Sequence, residues 1–542
     1  MRYILTLLFV LSFVVGFIPA HFLNEEILSI DDTSYIAHSM TFGIDFDFDY
    51  RNEIAKKFAA NGNVPSHPYG LGVLSAPFVM LGGFFDYISG NEVLVDRREY
   101  YSSWSFFSIL FSASFYFLLG IYFLLKTIFE RYKFINQHYK IALLSLAAIF
   151  SSGILYYVLG RFTMSHAFEF GTISGLIYCV HKLQVELDNK ATNFELLVVL
   201  FFIAFCSALV VMVRPTNISM LAVSLIFLNK TMPNIHAELK DKSPATDSLF
   251  LFFCTASNCA GLALVFIFNY YLYGYVWPSP DFLYNVDILN YKGLPTDFYS
   301  MVAVYIDRLP NLIIIFFSSE VGVFYTMPVI FWGLGYGIYS LFVNSLNWFN
   351  KILYFLGGFV VFGVPFAIVL LWQTTASDYN YRYLMCLIPI STLLMSEMIL
   401  TCSNNSKLEK VILTFLVVCF SFSFLCFMFY KSDPLLFPSS QINVFGVLHG
   451  ASLNDYVLDV TERIFYFKNW LAALGKGLPS ILILPLLPEK IASGLLPQLI
   501  YENYYPRFRQ TPLIIYFQIV LLASLWFCFF RLISQLIRSK TF

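Results

Sequence analysis

The sequence predicts an all-α polytopic membrane protein with about 12 transmembrane helices and a first outer loop carrying interfacial helices. Three observations predict it. Of the 542 residues, 58% are hydrophobic and 12% charged, roughly half the charge of an average soluble domain. The mean hydropathy is +0.70, and 61 Phe and 36 Tyr add more apolar surface than a soluble fold hides from water. Finally, the apolar residues gather in runs of about 20, the length a helix needs to cross a bilayer.

In chain order the runs lie at 3–22, 102–125, 141–160, 163–181, 195–213, 216–229, 248–272, 321–343, 352–371, 383–401, 411–430 and 512–533. The first has too long an apolar core for a cleaved signal, and Ile18-Pro19 before Ala20 is a poor cleavage site. The sixth is short, and Arg214-Pro215 marks a tight turn between the fifth and sixth. The stretch 69–88 is long enough for a span but holds Pro77, Gly82 and Gly83 and ends in polar residues. It reads as a helix lying on the bilayer surface.

Charge sets the sides. With the N-terminus in the cytoplasm, Arg2, Lys126, Arg131, Lys133, Lys140, Lys182, Lys190, Lys230, Lys240, Lys242, Lys351, Lys407, Lys410, Arg531, Arg538 and Lys540 lie inside. The short outer turns then hold only Arg161, Arg214 and Arg382, which is the positive-inside asymmetry. Both termini are expected in the cytoplasm, in an inner (plasma) membrane. Polar mass gathers outside, at 24–101, 273–320 and 431–511. The division expected is a transmembrane module over 1–430, whose first outer loop is 24–101; an outer-face segment over 431–511; and a last span with a basic cytoplasmic tail over 512–542. The net charge of −1 gives no basic field for nucleic acid. All nine cysteines fall in or at the end of apolar runs and none forms a CxxC pair, so neither a disulfide framework nor a zinc site is expected. No nucleotide-binding glycine loop is visible, and the inner loops lack room for a nucleotide fold.

Ionisable residues recur at the outer boundary. The first outer loop opens with Ile30-Asp31-Asp32-Thr33-Ser34-Tyr35. Either aspartate could cap a helix and meet its dipole, and a carboxylate fixed there could also serve as a general base. Pro65-Ser66-His67-Pro68-Tyr69-Gly70 makes a turn, with His67 as a cation or hydrogen-bond donor. Arg161 precedes the fourth run, in which His166 and Glu169 stand at i and i+3. That pair is either a site or a structural ion pair. Arg214-Pro215-Thr216-Asn217 and Asp378-Tyr379-Asn380-Tyr381-Arg382-Tyr383 form two more outer turns. Their arginines need partners, which could be headgroups or a lipid phosphate, and the tyrosines also suit an aromatic belt. Glu320 closes the long third segment. Carboxylates, arginines and histidines at one membrane surface are what a reaction on a phosphorylated lipid requires.

On these residues the chain resembles the GT-C superfamily of polyprenyl-phosphate-sugar-dependent glycosyltransferases, such as lipid A aminoarabinose transferases, protein O-mannosyltransferases and wall arabinofuranosyltransferases. Asp31-Asp32-Thr33-Ser34-Tyr35 resembles the acidic pair and Tyr of that family's first outer loop. His67-Pro68-Tyr69-Gly70 through Ala76-Pro77-Phe78 resembles its Pro-rich turn and interfacial helix. Arg214-Pro215 resembles its basic turn after the fifth span. Glu320-Val321-Gly322 with Pro328, and Tyr381-Arg382-Tyr383 with Pro389, resemble two later elements. The matches spread over about residues 1–400, in order and on one side. Where many relatives place Lys in the Pro-rich turn, this chain has His67.

The resemblance implies an inverting transfer on the outer face. Asp31 is the expected general base on an acceptor hydroxyl, with Asp32 orienting it. Arg382, Arg214, His67 and Tyr383 are the expected contacts to the donor phosphate, and Arg161, His166, Glu169 and Glu320 are secondary candidates. The implied partners are a polyprenyl-phosphate sugar donor, a glycan, lipid or protein acceptor, and membrane lipids. No cofactor is expected, because phosphate leaves readily without a metal; a divalent metal bridging Asp31 and Glu169 is the alternative arrangement. Residues 431–511 are expected to read the acceptor. The rival functions are a lipid-linked-glycan transporter or flippase, and a polysaccharide polymerase or ligase using a lipid-diphosphate donor. Transporters usually show matched halves with charges at mid-membrane, a pattern this chain lacks.

Overall fold

The computed structural model of the chain describes residues 2–16, 30–50, 59–60, 64–65, 67–90, 104–131, 138–189, 192–228, 244–277, 298–317, 322–343, 348–372, 382–402, 406–432, 482, 486, 488–491 and 512–538. The main helices are α1 (Arg2–Gly16), α2 (Ile30–Met40), α3 (Gly70–Ile88), α4 (Trp104–Arg131), α5 (His138–Ser151), α6 (His166–Asp188), α7 (Asn193–Val213), α8 (Pro244–Tyr273), α9 (Pro328–Val343), α10 (Trp348–Trp372), α11 (Ile388–Cys402), α12 (Ser406–Ser432) and α13 (Pro512–Arg538). Among the described residues, strand pairing is limited to Ala59–Ala60 with Val64–Pro65, antiparallel, with Ala59 opposite Pro65. The chain is an all-α, multi-pass membrane protein.

Eight helices among the described residues are long and apolar enough to cross a membrane, and up to nine if the pair Tyr299–Arg308 and Asn311–Phe317, bent by 53°, counts as one. The expected count of about 12 therefore divides. Four of the expected spans correspond to shorter apolar helices, at Tyr3–Val14, Tyr139–Ser151, Pro215–Ile226 and Pro328–Val343. The expected span at 163–181 corresponds to α6, which opens with His166 and Glu169 and closes with Lys182, Glu186 and Asp188, so its apolar middle is short. Conversely, α3 passes as a span by length and composition, although the sequence places it on the bilayer surface. The expected outer segment 431–511 lies outside the described residues, apart from 431–432, 482, 486 and 488–491.

The helices begin and end for local reasons. At the start of α7, Thr192 Oγ accepts from the Glu195 amide at 3.3 Å, and the Glu195 carboxylate accepts from the Thr192 amide at 2.9 Å, a reciprocal capping box. At its end Arg214 is extended and Pro215 opens a 3₁₀ turn over Pro215–Ala222, so the Arg-Pro turn falls where expected. The third expected run is broken. α5 stops at Ser151, Gly153 takes a φ of +75°, which favours glycine, and a π-helical turn runs over Tyr156–Gly160.

Contacts divide the chain into two compact units, one of Met1–Leu118, Gly153–Phe168 and Phe424–Leu532, the other of Leu119–Ser152, Glu169–Ser423 and Ile533–Phe542. In the first unit the rings of Phe9 and Phe13 pack against Trp526 at 6.3 and 5.4 Å. α3 lies against α2: a Cβ on Gly72 would fall 2.5 Å from His38 Cβ and 2.7 Å from its carbonyl carbon. The opposite side of α3 exposes Met80, Leu81, Phe84, Phe85 and Ile88. Its last turn is tied to the start of α4. Buried Asp86 accepts from the amides of Trp104 and Ser105, both at 2.8 Å, and from Ser105 Oγ at 2.6 Å, satisfying amides that a helix start leaves open.

In the second unit α7 and α8 are joined by Ser207 Oγ donating to Asn258 Oδ1 at 2.7 Å, and the Asn258 amide donates on to the Leu221 carbonyl at 3.1 Å. Arg131 Nε donates to Glu397 Oε1 at 3.1 Å, Lys140 pairs with Glu409, and the Phe123 and Tyr178 rings stack at 5.2 Å.

Candidate functional site

The acidic pair stands in the first turn of α2, which begins at Ile30. Asp31 is its second residue, and its side chain is outside the described set. Asp32 is fully buried and saturated with donors. Its Oδ2 accepts from Arg161 Nη2 at 2.9 Å and Nε at 3.2 Å, and its Oδ1 accepts from Thr163 Oγ1 at 2.5 Å. Both aspartates fall inside the helix rather than ahead of it, and the Asp32 carboxylate reaches the Arg161–Thr163 turn. A guanidinium held on one carboxylate is the strong, directional form of ion pair.

The same unit holds the Pro-rich turn. His67 is buried, with its ring tilted 5.5 Å from that of Tyr35 on α2. Its carbonyl accepts from His38 Nε2 at 2.8 Å, and His38 Nδ1 lies 2.8 Å from the Tyr50 hydroxyl. Complete burial pushes the His38 imidazole down to about 3, since desolvation penalises the charged form. His38 is therefore neutral. Burial also pushes the Tyr69 phenol up. His166, at the start of α6, packs edge-on against Tyr157 at 4.5 Å.

The second unit holds the other basic turns. Arg214 lies with its guanidinium carbon 4.5 Å from the centre of the Tyr383 ring, and Arg382 lies 5.7 Å from the same centre. Glu169, buried, is 3.8 Å from Arg214 Nη1. Two turns 168 residues apart in sequence (382 − 214) thus meet at one aromatic ring, each guanidinium within cation–π range of it. Glu169 supplies a counter-charge to Arg214, and a planar guanidinium fork also matches phosphate oxygens.

The structure thus gathers Asp32 with Arg161, and Arg214, Arg382, Tyr383 and Glu169 with one another. Glu320 lies outside the described residues. Thr163, His38 and Tyr50 are additions that the sequence reading did not single out. Thr163 stands two residues past Arg161 in the same turn, and His38 two turns past Asp31 on one helix, so spacing from known candidates was the available signal. Among the described residues no three His, Cys, Asp or Glu side chains are grouped to hold a metal ion.

The class these features define is a multi-pass, all-α membrane protein. No family model and no curated protein matches the chain. Among solved structures it is similar to the Archaeoglobus fulgidus oligosaccharyltransferase in complex with Zn and sulfate, at 11% identity and a TM-score of 0.43, over 82% of this chain and 56% of that one. It is also similar to the apo form of that enzyme, at 11% identity and a TM-score of 0.41, over 93% and 59%. A third similarity is to archaeal oligosaccharyltransferase AglB from Archaeoglobus fulgidus, in complex with an inhibitory peptide and a dolichol-phosphate, at 11% identity and a TM-score of 0.40, over 93% and 59%. The chain spans a little over half the length of the chains it matches.

Proposed function

We propose that this protein is an inverting glycosyltransferase, moving a sugar from a polyprenyl-phosphate donor to an acceptor hydroxyl on the outer face of a cell's inner membrane. The observation that carries the reading is the convergence of Arg214 and Arg382 on the Tyr383 ring. Such a pair suits a phosphate whose charge grows as the sugar leaves.

In this reading Asp31 accepts the proton of the acceptor hydroxyl as its oxygen bonds to the anomeric carbon from the side opposite the phosphate. The bond from that carbon to the phosphate oxygen breaks, and its electron pair stays on the departing polyprenyl phosphate, stabilised by Arg382 and Arg214 with His67 as a further contact. A positioned base contributes typically 10²–10⁴-fold. The support for Asp31 over Asp32 is that both oxygens of Asp32 are already engaged by Arg161 and Thr163. Asp32 then orients the helix that carries Asp31.

The test uses the full-length protein in nanodiscs with a panel of radiolabelled polyprenyl-phosphate sugars, following release of polyprenyl phosphate. Turnover in wild type, lost in Asp31→Asn with the lipid still bound, supports the reading. Equal turnover in both removes Asp31 from the chemistry. Transbilayer movement of a labelled lipid without turnover of any donor makes the protein a flippase, and turnover only with a lipid diphosphate makes it a polymerase or ligase.

A further inference from the structure

We propose that His38 is a positioning residue for His67, holding the Pro-rich turn to the helix that begins with the acidic pair. The inference rests on the reading of His67 as a contact to the donor phosphate.

Three observations converge on it. The first is the hydrogen-bond chain from Tyr50 through His38 to the His67 carbonyl, each link 2.8 Å. A carbonyl only accepts, so Nε2 carries the ring proton. The neutral ring then accepts at Nδ1, and the Tyr50 hydroxyl donates. Each polar atom of a wholly buried imidazole is thus used once, in one tautomer, and the ring cannot turn over without losing both bonds.

The second is the approach of the backbones. Gly72 stands so close to His38 that any Cβ there would collide with the His38 main chain, and Ser75 Oγ donates to Ser39 Oγ at 2.8 Å. The start of α3 is therefore clamped on the same turn of α2 that reaches the His67 carbonyl, and the residues from His67 to Gly70 are held at both ends. The third is the ring of Tyr35, one turn earlier on α2, set against the His67 imidazole. His67 is fixed at its main chain by His38 and at its side chain by Tyr35, both from the helix whose first turn is Asp31-Asp32.

The experiment compares His38→Asn and His38→Gln in the full-length protein in nanodiscs, reading KM for the polyprenyl-phosphate sugar and kcat separately. The Gln amide nitrogen reaches about as far as Nε2 and can still donate to the His67 carbonyl; the Asn amide stops near Nδ1. The expected result is a donor KM raised about tenfold in His38→Asn with kcat within about twofold, and within about threefold of wild type in His38→Gln. A merely structural histidine gives no such split, because loss of folded protein lowers apparent kcat and leaves KM alone. Wild-type KM in His38→Asn, or equal impairment in both variants, overturns the proposal. His67→Ala separates the layers. A wild-type donor KM there overturns the reading of His67 and the proposal with it. A raised KM in His67→Ala without one in His38→Asn overturns the proposal alone.

Discussion

Arg161 and Asp32 are 129 residues apart in the chain, yet the guanidinium Nη2 of one is 2.9 Å from the carboxylate Oδ2 of the other, with both side chains buried. A buried pair of this kind adds little over a well-packed apolar substitute, but breaking it strands a charge. Arg161→Met is therefore expected to lower stability by about 3–5 kcal/mol, seen as a fall in the thermal unfolding temperature of the purified protein. The double variant with Asp32→Asn should recover part of that loss. If Arg161→Met unfolds at the wild-type temperature, the ion pair holds nothing.

The two arginines at Tyr383 give a second expectation. Arg382→Ala and Arg214→Ala should each lower kcat/KM for the lipid donor by about 10²-fold, with Arg→Lys variants intermediate, since Lys keeps the charge but not the fork. Tyr383→Phe keeps the ring face and should cost less than Tyr383→Ala. Steady-state kinetics with one donor decides all of these. Equal activity in Arg382→Ala and wild type would falsify the assignment of that residue.

Much of this was legible in the chain. The Arg214-Pro215 break and the acidic pair are written in a few adjacent residues, because turn and capping chemistry are local. The partners of the acidic pair are not. Nothing near Asp32 announces Arg161, and a lone His38 in a mixed helix looks like any other half-polar position. The lengths of the described helices are not local either. Hydropathy finds apolar runs, but whether a helix persists through Gly153 or keeps an apolar middle beside Glu169 is settled by packing and by the charged residues at its ends.

Gly72 offers a steric test. Gly72→Ala would place a methyl 2.5 Å from His38 Cβ and 2.8 Å from its carbonyl oxygen, so α2 and α3 must separate. Overpacking of this kind costs about 1–3 kcal/mol, and thermal unfolding should register it. No loss would mean that the two helices part freely there.

Acid should weaken the first unit through His38. Its folded value of about 3 lies below the value of about 6.5 for an unfolded histidine. Between those limits the unfolded chain binds the extra proton, so stability rises with pH and is lost on acidification, by about 1.4 kcal/mol per pH unit at full effect. The groups facing the ring are Phe42, Tyr50, Tyr69 and His67, whose carbonyl accepts from it and whose side-chain charge also pushes it down. His38→Gln, which cannot take up that proton, should flatten the acid limb of an unfolding-temperature profile from pH 7 to pH 4. An unchanged limb would place the acid sensitivity elsewhere.

The bond from Asp86 to the start of α4 has a practical corollary. Because a carboxylate ties the end of α3 to the amides of Trp104 and Ser105, the two helix ends are held by a contact of their own, and that junction is expected to tolerate a longer sequence between positions 90 and 104. Doubling a loop's length costs only about 0.6 kcal/mol of closure entropy. An epitope or a labelling cysteine inserted between those positions is therefore expected to leave the two helices joined, and its accessibility in sealed vesicles would report which side of the bilayer the insert faces.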